Sequence, residues 1–198
     1  MDSLLSYSLH DLLIFSPDSF FKLFELSNKA LWPFHIPLVL LAVVAVFLLY
    51  KGHRYAPRFI LMWLAFFWCF VGYWYFSQFY KQINTYAHIG SYLFYAEAGL
   101  LMLYAVFSNH DVQAQEKKWQ RLIGGVFILY GFLIHPILSI LMWGQPLIRL
   151  ELFSIAPDPT AISTIGFLLL LLTVRDFLLL MVIPCIWLIV SIMTYLTF

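Results

Sequence analysis

The chain has 198 residues, of which 63% are hydrophobic, 20% aromatic and only 11% charged, whereas soluble domains carry roughly 25% charged residues. At a mean hydropathy of +0.89, no soluble fold of this length can hide so much apolar surface. The net charge of +1 and the absence of a clustered basic face exclude nucleic acid as a partner, since the longest basic cluster is Lys51-Gly52-His53-Arg54 followed by Arg58.

In chain order, residues 1–15 are apolar, but Asp2, His10 and Asp11 make them too polar and too short to span a membrane. The first basic residue is Lys22 and no small-residue cleavage site precedes the first long apolar run, so the N-terminus is expected to be retained. Ser16-Pro17-Asp18 reads as an N-cap followed by proline at the first helical position. Phe20, Phe21, Leu23, Phe24 and Leu26 then form an apolar stripe interrupted by Lys22 and Glu25, which predicts an amphipathic helix at the interface. A membrane-crossing helix needs about 20 largely uncharged residues, and that rule selects 32–50, 59–80, 86–107, 122–143, 160–174 and 177–198. The expected architecture is therefore all-α: a polytopic bundle of about six spans over residues 32–198, preceded by an interfacial segment over 1–31. The fifth span is short, and only Arg175-Asp176 separates it from the sixth.

Lys51, Arg54, Arg58, Lys117, Lys118, Arg121 and Arg175 lie on one side of that arrangement, and Lys22, Lys29, Lys81 and Arg149 on the other. Basic residues favour the cytoplasmic side. The bias puts the Lys51–Arg58 and Lys117–Arg121 loops in the cytoplasm and the N-terminus and Asp158 loop outside.

Glu97 is the only Asp, Glu, Lys or Arg within the first four spans, and it sits at the middle of the third. An ionisable group there marks an ion or proton site, or else a carboxyl group that joins helices by hydrogen bonding. Tyr86 and Tyr104 share its helical face. His135, before Pro136 in the fourth span, lies at nearly the same depth and offers a relay partner. The turn Ala156-Pro157-Asp158-Pro159-Thr160 offers a solvent-facing carboxylate or a proline-stiffened cap. His88 with His135 is a weak candidate haem pair. No His-x-x-Glu or cysteine cluster supports dedicated metal ligation, and no cofactor is assigned.

The chain resembles a family of bacterial multi-pass membrane proteins carrying a domain of unknown function. The resemblance runs from about Ser16 to Thr197. It rests on Phe20-Phe21-x-x-Phe24 with Asn28 and Trp32-Pro33, on Phe79-x-x-x-Ile83-Asn84, and on Ala156-Pro-x-Pro-Thr160 leading into Thr164-x-Gly166-Phe-Leu-Leu. The chain departs from that pattern at Asp158, where the family tends to show cysteine, and at Glu97, where an amide is usual. The resemblance implies a bacterial inner-membrane protein and no particular activity. The residues point to a small channel or carrier for a small solute or ion, with Glu97 and His135 in its path. The competing expectation is an accessory or assembly subunit in contact with lipid, pigment, further copies of itself or partner proteins. An intramembrane enzyme comes last, because paired aspartates, Ser–His and His-Glu-x-x-His arrangements are missing.

Overall fold

A computed structural model describes residues 15–53, 55–108 and 118–198. The expectations for residues 1–14, Arg54 and Lys117 lie outside the described residues. All described regular structure is helical. Helix α1 is Pro17–Leu31, α2 His35–Tyr50, α3 Ala56–Val71, α4 Ala87–Phe107, α5 Lys118–Leu129, α6 His135–Trp143, α7 Pro157–Leu171, α8 Val174–Leu180 and α9 Val182–Leu196.

Two of these run on through π-helical turns. Helix α3 continues through Gly72–Phe79 and a 3-10 turn to give one 27-residue helix, Ala56–Gln82. Here the Ser77 hydroxyl donates to the Gly72 carbonyl at 3.2 Å, taking up a group that the wider turn leaves poorly used. Helices α5 and α6 join through Tyr130–Ile134 into Lys118–Trp143. Pro136 has no N–H to give the carbonyl one turn earlier, which accounts for the widening just before it.

Ala56–Gln82, Ala87–Phe107 and Lys118–Trp143 are each long and apolar enough to cross a bilayer. Counting each bent helix pair as one span raises the number to five. The bent pairs are α1 with α2, at 96°, and α8 with α9, at 49°. This revises the expected last two spans. Helix α7 ends at Leu171, before Arg175, and Thr173 begins α8 by accepting from the Asp176 N–H with its hydroxyl. The run 177–198 is broken at Met181 rather than being one helix. The outward faces are apolar, with Leu122, Leu141, Met142 and Leu179 among the most exposed side chains. A surface of that kind suits lipid rather than water.

Helix α7 lies at the centre, with α3, α5 and α9 packed around it and almost every residue buried. Its seam with α5 is made by glycine. A Cβ on Gly124 would stand 2.8 Å from the Gly166 carbonyl oxygen, and one on Gly166 would stand 2.7 Å from that of Gly124. Small residues let two backbones approach in this way. The indole of Trp68 then ties α3 to α7 by donating to the Thr164 hydroxyl at 2.9 Å.

Helix α1 lies across one end of the bundle. Ser16 caps it, as its sequence predicts, by accepting from the Ser19 N–H at 3.2 Å. Phe20 packs on Tyr195 and Phe198, Phe21 on Trp143, and Phe24 stacks on Tyr75. Asn28 donates to the carbonyls of Ile148 and Leu150, both at 2.9 Å, fastening the 144–156 loop to α1. Arg149 reaches Asp18 at 2.7 Å and Glu25 at 3.2 Å, while Lys22 and Lys29 also bind Glu25. The ammonium groups of Lys22 and Lys29, with the Arg149 guanidinium, hold the Glu25 carboxyl at about 2, below its ordinary 4.5.

The α5–α7 seam gives a graded prediction. Gly124→Val should cost about 1 to 3 kcal/mol of stability by overpacking. Gly125→Val should change little, because a Cβ there meets nothing within 4 Å. Thermal unfolding of the detergent-solubilised protein checks both, and equal melting temperatures for the two variants would rule the seam out.

Candidate functional site

The sequence reading pairs Glu97 with His135, but the two side chains find different surroundings. Glu97 lies on the buried face of α4 with Phe94, Ala98 and Leu101 and is fully enclosed. Neither of its carboxyl oxygens has a hydrogen-bond partner among the described residues. Tyr86 and Tyr104, expected above and below it, are engaged elsewhere. Tyr86 is 63% exposed at the start of α4, and the Tyr104 hydroxyl donates to Asp176 at 2.9 Å, where Thr173 also donates.

His135 belongs to a different cluster. The π-helical turn inserts an extra residue ahead of it, which turns the following side chains by about 100° relative to continuous α-helix. Its Nε2 lies 3.2 Å from Glu151 Oε2. Glu151 is 1% exposed and also accepts the Tyr195 hydroxyl on Oε1 at 2.6 Å. Asp158 completes the group. Ligand-capable atoms of His135, Glu151 and Asp158 all lie within 4.8 Å of one another.

Asp158 corrects the expectation of a solvent-facing carboxylate. It is 4% exposed, in the first turn of α7, where a negative charge is favoured by the helix dipole. Trp187 Nε1 donates to its Oδ1 at 2.7 Å and the Ser191 hydroxyl to its Oδ2 at 2.5 Å. Thr160, also expected on an open loop, is buried and closes the turn. Its hydroxyl donates to the Ala156 carbonyl at 2.6 Å and accepts the Ser154 N–H at 3.0 Å, which holds Ser154 in its left-handed conformation at φ 71°.

The cluster borders a cavity of about 410 Å³. His135, Asp158, Ser191, Tyr130 and Tyr195 form its polar side, and Val126, Phe127, Ile162, Leu188 and Ile192 its apolar walls. A mostly apolar space with a few convergent polar groups is the usual form of a small-molecule or ion site. The candidate haem pair is not brought together: His88 is exposed with Nδ1 at the Thr85 carbonyl, whereas His135 turns to Glu151. Local spacing in the sequence gives no sign of metal ligation. The three donors sit at 135, 151 and 158, on a helix, a loop and the next helix.

Glu151 escaped the sequence reading, as did the hydrogen-bond donors Trp187, Ser191 and Tyr195. Glu151 had a usable signal: it stands between Leu150, Leu152 and Phe153, company that is unusual for a solvated loop acid. The donors on α9 had none, since their role follows only from α9 packing on α7.

Fold and site together describe an all-α protein whose apolar helices are compatible with a membrane location and enclose a polar cluster beside a cavity. Residues 17–198 match a family of unknown function, DUF6064, and the chain belongs to that family. No curated protein and no solved structure matches the chain.

Trp187→Phe keeps the edge contacts of this ring with Phe76 and Phe94 and deletes the N–H that reaches Asp158. Leaving that buried oxygen short of a donor should destabilise the protein by about 1 to 3 kcal/mol. In an Asp158→Asn background the same change should cost less, because the two residues share one interaction. Unfolding midpoints of the two single variants and the double variant measure the coupling, and strict additivity would disprove it.

Proposed function

We propose that this protein is a six-span inner-membrane channel or carrier for a small cation, with the group His135, Glu151 and Asp158 as its binding station. The observation that carries the reading is the convergence of those three ionisable side chains beside a cavity with apolar walls. Ionisable groups are expensive inside a bilayer and are retained chiefly where they bind or relay ions. On this reading α2, α3, α4, the joined α5–α6, α7 and the bent α8–α9 are the spans, and residues 1–31 form an interfacial segment over the outer end. Glu97 is then a second polar station on α4. Asp158 and Thr160 belong to the outer half, and the Lys51–Arg58 and Lys117–Arg121 loops face the cytoplasm.

The accessory-subunit reading draws on a separate feature. An apolar groove of about 830 Å³ runs between α2 and the joined α5–α6, lined by Val43, Val46, Phe47, Leu129 and Leu133 among others. A groove of that character suits a lipid or pigment chain, or a helix of another subunit.

Reconstitution separates the two. In vesicles loaded with a pH-sensitive dye and given a proton gradient, the protein should collapse the gradient faster than protein-free vesicles do. His135→Ala and Glu151→Gln should return the rate to that of protein-free vesicles. Repeating the measurement with sodium, potassium and zinc(II) gradients, the last with a zinc-sensitive dye, covers other small cations, and vesicles as tight as protein-free ones to all four would refute the transport reading.

Orientation has its own test. A cysteine introduced at Gln145 should react with an impermeant thiol reagent in intact cells, and one at Lys51 should react only after permeabilisation. Labelling of the Lys51 position in intact cells would reverse the assignment.

A further inference from the structure

We infer that His135, Glu151 and Asp158 form a three-ligand site for a divalent first-row transition ion of the zinc type, with one coordination position left open toward the cavity. The inference names the ligand class of the station proposed above and rests on that reading only for the location of the site in a membrane protein.

Four observations support it. The donor set is one imidazole and two carboxylates. Imidazole suits zinc, iron, nickel and copper, and carboxylate suits harder ions, so the mixture favours a borderline ion over calcium or magnesium. Spacing comes next. Two ligand atoms held about 2.0 to 2.2 Å from one tetrahedral ion lie roughly 3.3 to 3.6 Å apart. His135 Nε2 and Glu151 Oε2 are already 3.2 Å apart, and all three ligand atoms fall within 4.8 Å, so a small side-chain rotation of Asp158 would close the set.

The third observation is charge. With His135 neutral and both carboxylates ionised the group carries two negative charges, which one divalent cation balances. Neutrality matters at Glu151 and Asp158, which are 1% and 4% exposed, because uncompensated charge in an apolar interior is costly. The fourth is the ring of supporting donors. Tyr195 holds one oxygen of Glu151, while Trp187 and Ser191 hold one oxygen each of Asp158. Carboxylate ligands are normally oriented by hydrogen bonds of this kind. Each oxygen keeps a further lone pair for an ion. Three protein ligands, of which His135 and Asp158 line the open space, are the pattern of an exchangeable site, in contrast to the four-ligand closure of a structural one.

The test is direct metal binding to the intact protein in mild detergent after treatment with a chelator. Cobalt(II) should bind at one equivalent and give the intense visible absorption of a low-symmetry, four-coordinate N/O site, and zinc(II) should bleach it by displacement. His135→Ala, Glu151→Gln and Asp158→Asn should each abolish that stoichiometric band. Tyr195→Phe should weaken binding by about 10- to 100-fold as loss of a supporting hydrogen bond, and Asp176→Asn, in an acid remote from the cluster, should bind as the parent does. Glu151→Gln preserves side-chain shape, so its melting curve without metal, compared with that of the parent, shows whether loss of the band reflects loss of a ligand or of the fold. No stoichiometric band in the parent, or an undiminished band in folded Glu151→Gln, would overturn the inference. Proton, sodium or potassium flux without metal binding would remove the metal and leave the transport reading standing. Metal binding in a protein tight to those cations and to zinc(II) would remove transport and leave the site.

Discussion

The Asp158 carboxylate, enclosed at the amino end of α7 and held by donors from α9, is the contact on which the rest of the arrangement turns. Helix α7 is buried on nearly all sides, so its first turn has no access to water and must find partners for its polar groups within the protein. The short segment before it supplies them. Thr160 takes the Ala156 carbonyl and the Ser154 N–H, proline occupies positions 157 and 159, where N–H groups would otherwise need acceptors, and Asp158 gathers the indole of Trp187 and the hydroxyl of Ser191. A central helix is thereby tied to the last one through charge-assisted hydrogen bonds, which are stronger than neutral ones.

That tie works together with the glycine seam between α7 and α5. Gly124 and Gly166 bring α5 and α7 to backbone contact, and Gly131, in the π-helical turn, continues the approach. A Cβ there would run into the Ser163 hydroxyl and stand 2.7 Å from the Pro159 carbonyl oxygen. The close contact along α5 leaves His135, immediately beyond the turn, level with Asp158. The cavity lies beside this seam, with walls from α5, α7 and α9. Helix packing and site geometry therefore have one cause.

Helix positions were largely legible in the amino-acid sequence because apolar run length is a local property. The expected 59–80, 86–107 and 122–143 fall within a few residues of Ala56–Gln82, Ala87–Phe107 and Lys118–Trp143. The break at Leu172 was not legible: no glycine or proline stands there, and Thr173 and Asp176 act as a cap, which an apolar count does not register. The break at Met181 does carry a signal, because Pro184 has no N–H for the Leu180 carbonyl and its ring crowds that turn. The site was legible only in part. His135 and Asp158 drew attention as polar groups beside prolines, but their partners depend on which helices touch. Glu97 illustrates the limit from the other direction: its enclosure was predictable from its surroundings in sequence, and the separation of its carboxyl group from His135 was not.

The third member of the cluster depends on a different region. Glu151 lies on the loop that Asn28 fastens to α1 through the carbonyls on either side of Arg149, and Arg149 is drawn to Glu25 and Asp18. The position of a buried carboxylate is thus set by an ion cluster two residues away along the chain. Because the Glu25 carboxyl is held at about 2 against an ordinary 4.5, its contribution to docking α1 is complete above about pH 4.5 and is lost as pH falls toward 2. Through the neutral range that cluster keeps its charge. The segment that carries Glu151 therefore stays anchored to α1 throughout that range.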